Sequence, residues 1–433
     1  MQRLCTVLAA VFVSLLSCPA AQAEDWPQWR GPGRDGVWRE TGILDTFPES
    51  RIALRWSVPI SNGYSGPTVA AGRVFVTDRV LGPEEAERVL CFDAATGNPL
   101  WTFVYPCRYE GVGYRDGPRA SVTIDNGLAY ALGTMGHLHC LDAETGAVVW
   151  RKQPATDYDV EQPTWGVAAA PLVEGELLIA QLGAKPDACV VAWDKRTGEE
   201  RWRALPDQAS YAAPIVVNQT GRRVVVCWTG DGLVGLDSDT GALRWRYPTP
   251  PVQMVINIAT PVFHDGRIFL SSFYDGAYLL RLQDDRSGVD LAWHRAGPNE
   301  RKTDALHALL STPLILDSHI YGVDTHGELR CLDLETGDRL WEDTTAVARN
   351  RWANIHMVRN AGRVWMFNEQ GELIISRLTP DGFEALSRAR LIAPTQGQLG
   401  RGEGVCWAHP AYANRHVYAR NDEVLVCASL AAE

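Results

Sequence analysis

Short apolar runs that alternate with polar residues occur in pairs along the chain, and a tight turn joins each pair. Residues 67–78, PTVAAGRVFVTD, are typical, with two alternating segments on either side of Ala71-Gly72. A period of two predicts half-buried β-strands, and Gly, Asn or Asp between them predicts hairpins. Seven further pairs cover residues 121–132, 171–183, 214–228, 261–272, 313–323, 356–368 and 409–420.

A second pattern, D-x-x-T-G-x-x-x-W, follows many of these hairpins. Its intact copies comprise Asp93, Gly97 and Trp101; Asp142, Gly146 and Trp150; Asp194, Gly198 and Trp202; Asp237, Gly241 and Trp245; and Asp333, Gly337 and Trp341. A degenerate copy begins at residue 284 and ends at Trp293, so the copies recur every 43 to 52 residues. This period predicts propeller blades of four strands. We expect the Asp to accept a turn N–H, the Gly to permit a positive φ, and the Trp to pack into the seam with the next blade.

The two ends of the chain each hold part of one blade. Trp56, in ALRWSVP, has no hairpin before it, whereas VLVCASL at residues 424–430 has no Trp strand after it. Pairing these segments would complete the last blade and remove the open edges of the ring. The sequence therefore predicts an all-β fold, an eight-bladed β-propeller of four-stranded antiparallel blades closed by its N- and C-terminal strands.

The first residues are typical of an export signal. Arg3 precedes an apolar run from Leu4 to Leu16, and Ala21-Gln22-Ala23 follows as a small-x-small cleavage site. We expect a signal peptide at 1–23, an N-terminal extension at 24–50 that packs on the propeller, and the propeller itself at 51–433. Cys18 lies in a weaker lipoprotein-like sequence, so a lipid anchor at that residue is the alternative. Both interpretations place the protein in the periplasm or cell envelope, and no other segment is predicted to cross a membrane.

Charge and cysteine content narrow the possible functions. The net charge is −11 and no basic stripe is present, which argues against nucleic acid as a partner. Cys91, Cys140 and Cys331 each lie two residues before a repeat Asp, and Cys427 takes the corresponding place in the last repeat. Equivalent positions in separate blades lie far apart, so we interpret these cysteines as small core residues.

The repeats resemble those of PQQ-like, or tryptophan-docking, β-propellers. That superfamily includes quinoprotein alcohol dehydrogenases, which bind pyrroloquinoline quinone and Ca²⁺, and the non-catalytic BamB-like group of the outer-membrane barrel assembly machinery. DWPQWRGPGRDGV at residues 25–37, with TWGVAAAPLVEG at 164–175, is similar to the exported propellers of planctomycetes. The quinone enzymes hold their cofactor against a disulfide between adjacent cysteines, and this chain has no Cys-Cys pair. No Ca²⁺ ligand set can be assigned either, so neither cofactor is expected.

Three other motifs are weak signals for a site. His137-x-His139 places two imidazoles on one face of a strand without a third ligand. Cys406 and His409 are a nucleophile and a base by residue type alone. The glycines at 31, 33 and 36 match a dinucleotide fingerprint in letters only, and we expect this segment to lie across the propeller with Trp26 and Trp29 as anchors.

The long connections between blades are expected to form the binding face, because variable loops on a rigid scaffold usually carry function. Candidates at the channel mouth are Tyr64, Arg119, Trp165, Tyr211, Asn257, His307, Trp352, Asn354, Glu403 and Trp407. Such residues would suit an envelope protein or peptide, or a carbohydrate. The sequence therefore favours an exported, non-catalytic binding or assembly scaffold. A diverged quinoprotein dehydrogenase and a carbohydrate-acting enzyme are the alternatives.

Overall fold

The fold is a ring of eight antiparallel sheets, and the computed structural model describes residues 23–284, 288–400 and 402–432. Strand β1 spans Leu54–Pro59 and belongs to the last blade. Blade 1 contains β2 (Thr68–Ala70), β3 (Arg73–Val80), β4 (Ala86–Asp93) and β5 (Pro99–Pro106). Blade 2 contains β6 (Thr123–Asp125), β7 (Leu128–Leu132), β8 (Leu138–Asp142) and β9 (Val148–Lys152).

Blade 3 has an extra strand, β10 (Asp159–Val160), which pairs with the C-terminal end of Leu177–Lys185, while Leu172–Glu174 pairs with the N-terminal end of the same strand. A helix of four residues, α1 (Pro154–Asp157), precedes β10. The other strands of blade 3 are β11 (Leu172–Glu174), β12 (Leu177–Lys185), β13 (Ala188–Asp194) and β14 (Glu200–Ala204). Blade 4 contains β15 (Ile215–Gln219), β16 (Arg222–Trp228), β17 (Gly232–Asp237) and β18 (Leu243–Pro248).

Blades 5 to 8 repeat the same order of strands. Blade 5 contains β19 (Val262–His264), β20 (Arg267–Ser272), β21 (Gly276–Leu282) and β22 (Val289–Arg295). Blade 6 contains β23 (Leu314–Leu316), β24 (His319–Val323), β25 (Leu329–Asp333) and β26 (Arg339–Asp343). Blade 7 contains β27 (Ile355–Asn360), β28 (Arg363–Asn368), β29 (Glu372–Thr379) and β30 (Gly382–Arg390). Blade 8 contains β31 (Ala411–Ala413), β32 (His416–Arg420) and β33 (Val424–Ser429), with β1 as its outer strand.

The ring closes as the sequence predicts. Strand β1 pairs antiparallel with β33, and Trp56 lies opposite Cys427. The outer strand of the last blade therefore comes from the N-terminal side of the chain and its other three strands from the C-terminal end. This pairing confirms the eight-bladed, four-stranded architecture and leaves neither end of the ring as an open edge.

Each repeat Asp holds the turn between the third and fourth strands of its blade. The Asp93 carboxylate accepts hydrogen bonds from the backbone N–H groups of Ala95 and Thr96, at 3.1 and 2.8 Å, and from the Thr96 hydroxyl at 2.7 Å. The same three bonds recur at Asp142, Asp237 and Asp333. The conserved spacing within the chain thus encodes a turn.

In five seams of the described part of the chain, the Trp of one blade docks on the repeat Gly of the next, whereas Trp245 donates to Gln219 of its own blade and Trp341 to the Thr379 carbonyl. Trp56 donates from Nε1 to the carbonyl of Ala94 at 3.0 Å, and its ring covers Gly97 so closely that a Cβ there would come within 2.8 Å of the indole. The rings of Trp101, Trp150, Trp202 and Trp293 lie in the same way over Gly146, Gly198, Gly241 and Gly337. Glycine is required at these positions both for its positive φ and for the space that the indole occupies.

The N-terminal segment at residues 24–39 crosses the end of the ring that carries the tight turns. Trp26 and Val69 of blade 1 exchange two backbone hydrogen bonds, and the Trp38 N–H donates to the carbonyl of Arg359 in blade 7, two blades away. The indoles of Trp26 and Trp38 are fully buried between these blades. The export signal and Cys18, in contrast, lie outside the described residues, so both stay predictions.

Candidate functional site: an aromatic funnel

The channel of the propeller opens into a funnel on the face that carries the inter-blade loops. The funnel has a volume of about 230 Å³. Its upper wall is formed by residues three positions before the place that Pro67, Pro171 and Pro214 occupy in the aligned first strands, and seven of the eight equivalent positions take part. These are Tyr64, Arg119, Ala168, Tyr211, Ile258, Leu310 and Trp407.

A second ring of side chains lies two residues further along each chain segment, deeper in the funnel. Its members are Ser121, Ala170, Ala213, Thr260, His356 and His409. A step of two residues returns to the same face of an extended strand, so both rings face the channel. The lower ring is not identified by the sequence analysis, which considers only the position at the mouth.

Loops between and within the blades complete the mouth with aromatic residues. Trp165 packs against Tyr211 with ring centroids 5.1 Å apart. Tyr114 contacts both Trp352 and Trp407, at 6.4 and 6.1 Å between centroids. The mouth is therefore framed by aromatic rings that hold one another in place, with their remaining faces turned toward the cavity.

Trp29 forms the floor of the funnel. Its indole enters from the N-terminal segment, donates to Oγ1 of Thr260 at 2.8 Å, and packs edge-on against the His409 ring at 4.5 Å. The channel is thus a blind cavity rather than a passage through the ring. The anchoring role expected for Trp26 and Trp29 is divided, since Trp26 packs between blades and Trp29 fills the channel.

Arg119 is the cation of the wall, and backbone carbonyls engage it. Its guanidinium donates to the carbonyl oxygens of Gly113 at 2.9 Å and of Tyr114 and Gly117 at short range. It also lies over the Tyr64 ring, 4.9 Å from its centroid. Burial lowers the Arg119 pKa. This side chain therefore fixes the loop at residues 113–117 around the mouth.

A serine and a histidine meet at the floor across an intervening blade. Oγ of Ser121 in blade 2 lies 2.7 Å from Nε2 of His409 in blade 8, and the imidazole passes over Gly66 of blade 1. The other ring nitrogen of His409 lies 3.2 Å from the Pro410 carbonyl, which places a proton on Nδ1 and leaves Nε2 as the acceptor. Burial lowers the pKa of His409 to about 3, and that of the neighbouring His356 to about 4. Both imidazoles are neutral at neutral pH, and a base this weak is poorly suited to activating the serine.

Not all of the residues predicted at the mouth reach it. Tyr64, Arg119, Trp165, Tyr211, Trp352 and Trp407 line the funnel together. Asn257, His307 and Asn354 are instead buried behind the wall, where their side chains bond to Thr229, Phe273 and Ser311 respectively. Glu403 is exposed on a loop outside the wall.

The other sequence motifs do not assemble a catalytic or metal site. His137 and His139 stack at 6.4 Å, and burial lowers the pKa of both. Cys406 bonds to the Ala393 carbonyl and not to His409. Throughout residues 23–284, 288–400 and 402–432, no group of three or more His, Cys, Asp or Glu side chains is arranged to hold a metal ion.

The donor set of the funnel does not fit Ca²⁺ or a polycarboxylate quinone. Calcium takes six to eight oxygen ligands, usually including carboxylates, and no Asp or Glu is present among the described residues of the wall. The carboxylates of the quinone would need several cations, but the two histidines are neutral and Arg119, held by three backbone carbonyls, is the one cation among the described lining residues. The funnel is therefore a largely aromatic cavity without carboxylates, and Arg119 is the single Lys or Arg among its described lining residues.

The fold and the docking tryptophans define the class of protein as a PQQ-like eight-bladed β-propeller. Residues 85–343 match the family described as outer membrane protein assembly factor BamB, and the chain belongs to this family.

The chain is similar both to BamB proteins and to quinohemoprotein alcohol dehydrogenases. BamB of Nitrosomonas eutropha is 25% identical over 296 residues, which cover 66% of this chain and 63% of the relative. The chain thus spans less than two thirds of that relative's length. The crystal structure of BamB from Moraxella catarrhalis aligns with a TM-score of 0.59 and 17% identity, over 87% of this chain and 99% of that one.

The quinohemoprotein alcohol dehydrogenase of Comamonas testosteroni is also similar. It is 25% identical over 222 residues, 49% of this chain and 30% of the enzyme. Its crystal structure aligns with a TM-score of 0.66 and 15% identity, over 94% of this chain and 81% of that one. At this identity the structural likeness extends to the fold alone.

Proposed function

We propose that this protein is an exported, non-catalytic propeller that acts as a binding scaffold in the cell envelope, with its loop-rich face as the binding surface. The observation that carries the proposal is the blind aromatic funnel at the centre of that face, in which the polar side chains are already engaged within the protein. Such a cavity can bind a partner, but it supplies no free acid, base or metal ligand for a reaction. The resemblance of residues 25–37 and 164–175 to the exported propellers of planctomycetes agrees with this proposal.

The partner that we propose is another envelope protein. The name of the BamB relatives, outer membrane protein assembly factor, supports a partner within outer-membrane assembly. None of the helices in the described part of the chain is long and apolar enough to cross a membrane. The predicted export signal, or a lipid on Cys18, would then place the scaffold beside its partner.

Site-specific photo-crosslinking in cells tests this proposal. A photoreactive residue in place of Tyr114 lies at the mouth, whereas one in place of the exposed Glu199 lies on a turn at the opposite end of the ring. We expect crosslinks to an outer-membrane assembly protein from position 114 and none from position 199. Equal crosslinking from both positions, or none to any assembly protein, would contradict the proposal.

The quinoprotein relatives support a second candidate, a diverged dehydrogenase. This candidate rests on sequence similarity and shared fold, whereas the lack of carboxylates among the described residues of the wall argues against it. A carbohydrate-acting enzyme is less favoured, because acid–base cleavage of a sugar needs a pair of carboxylates, and the described wall of the funnel has none.

A further inference from the structure

The funnel has the size of a single aromatic group. An apolar cavity of about 150 Å³ takes up benzene, and pockets for drug-sized ligands begin at about 300 Å³. The funnel, at about 230 Å³, lies between these sizes. It has room for a bicyclic ring such as indole.

The chemistry of the wall selects an uncharged occupant. The floor imidazoles are neutral, because burial lowers their pKa values to about 3 and 4. The guanidinium of Arg119 is held by three backbone carbonyls. An anion would lose its hydration shell on entry and would meet a single guanidinium whose N–H groups already bond to backbone carbonyls.

The polar groups of the wall also have partners inside the protein. The Tyr64 hydroxyl bonds to Asp116 and to the Gln398 carbonyl, and the Tyr211 hydroxyl accepts the Trp165 backbone N–H. The Ser121 hydroxyl forms a hydrogen bond with His409, and the Thr260 hydroxyl accepts a hydrogen bond from the indole N–H of Trp29. A sugar would have to bury several hydroxyl groups beside these occupied partners, and each hydroxyl left unpaired would weaken its binding. An aromatic side chain buries at most one such group, the indole N–H of tryptophan, and the Ser121 oxygen can still accept it because its own proton goes to His409.

We propose that the funnel binds one uncharged aromatic side chain, tryptophan in particular, that a partner protein inserts as an anchor. The proposal rests on the proposed scaffold function and names what the partner presents. Trp165, Trp352 and Trp407 contact the inserted ring around the mouth, and Trp29 forms the base. Aromatic anchors in fully desolvated pockets often dominate the binding energy of an interface.

Titration with N-acetyl-L-tryptophanamide, followed by saturation-transfer NMR, tests the anchor directly. We expect saturable binding to the wild-type protein and no binding of methyl β-D-glucoside. Ala168→Trp fills the funnel and should weaken the binding about tenfold or more. Ala95→Trp, the same change at an exposed turn, should leave it unchanged. Leu310→Trp fills the funnel from another blade and provides a second variant if Ala168→Trp fails to fold.

Three results would overturn the anchor. The first is that the wild-type protein shows no saturable binding of the tryptophanamide, the second is that both filled variants bind it as tightly as the wild type does, and the third is that the wild type binds the glucoside in a way that the filled variants abolish. The crosslinking experiment separates this failure from failure of the scaffold. If crosslinks from position 114 persist undiminished in Ala168→Trp, the anchor is wrong and the scaffold stands. If the tryptophanamide binds as expected but no assembly protein is crosslinked, the anchor site stands and the scaffold is wrong.

Discussion

The indole Nε1–H of Trp29 donates a hydrogen bond of 2.8 Å to Oγ1 of Thr260, and this contact closes one end of the propeller channel. The two residues are 231 positions apart in the chain. The N-terminal segment therefore belongs to the binding cavity, because it turns an open channel into a funnel with a floor. Without this floor the aromatic mouth would frame a passage rather than a pocket.

Removing the floor should expose the lower ring. In a Thr260→Cys variant we expect slow reaction with a small thiol reagent, because position 260 is buried and packs against Trp29. Adding Trp29→Ala should accelerate the labelling at least several-fold. The described native cysteines are all buried, so background labelling is low. Equal rates with and without Trp29 would show that the indole does not close the channel.

The docking of Trp56 on Gly97 should be measurable as a coupling free energy between substitutions at these two positions. Gly97→Ala introduces a Cβ at positive φ and within 2.8 Å of the indole, whereas Gly72→Ala has a similar φ and nothing within 4 Å. We expect Gly97→Ala to lower the free energy of unfolding by about 1–3 kcal/mol more than Gly72→Ala, from overpacking. In a Trp56→Ala background this excess should disappear. If the two alanine variants unfold alike in the wild-type background, the indole does not enforce glycine.

The buried histidines predict a loss of stability in mild acid. In the unfolded chain an imidazole binds its proton near pH 6.5, whereas folded His409 and His356 do so only near pH 3 and 4. Between pH 6.5 and 4 the unfolded state therefore binds more protons, and the stability falls as the pH falls. The slope should reach about 1.4 kcal/mol per pH unit for each histidine.

Urea unfolding at pH 7 and pH 4.5 measures this loss of stability. His409→Gln keeps an acceptor near Ser121 but removes one titrating group, so its loss between the two pH values should be smaller than in the wild type. An identical loss in both proteins would show that His409 does not titrate in this way.

The cysteines should behave as core residues and not as disulfides. All eight described cysteines are buried and free, and burial raises the pKa of Cys91 to about 12 and of Cys331 to about 11. Since the thiolate is the reactive form, we expect thiol titration of the mature protein to give almost no reaction when native and eight thiols when denatured. A melting temperature that falls on addition of a reductant would contradict this expectation.

The architecture is predictable because it repeats. The spacing from Asp93 to Trp101 recurs along the chain, and the unpaired Trp56 segment leaves only one way to complete the last blade. The same periodicity predicts much of the upper wall, including Tyr64 and Arg119. Internal repeats can be recognised within one sequence, so the blade architecture can be predicted from this chain alone.

The remainder of the site depends on contacts that do not repeat. Asn257 and His307 lie near the predicted mouth in sequence, but each turns its side chain to a buried carbonyl. Nothing in the sequence marks Ser121 as a residue of the site. Its contact with His409 passes over Gly66 and forms only because ring closure brings blade 8 next to blade 1. Tyr114 lies in an inter-blade loop whose path no periodicity specifies.

Reconstitution with pyrroloquinoline quinone and Ca²⁺ tests the central claim, that the funnel is a binding site of a scaffold and not a redox centre. The measurement is dye-linked turnover of simple alcohols and aldose sugars by the mature protein, with and without both cofactors. We predict no turnover that depends on added quinone, because the described wall offers no carboxylates for Ca²⁺ and a single cation, already held by carbonyls, for the quinone. Quinone-dependent turnover that is lost in Arg119→Ala would contradict the account.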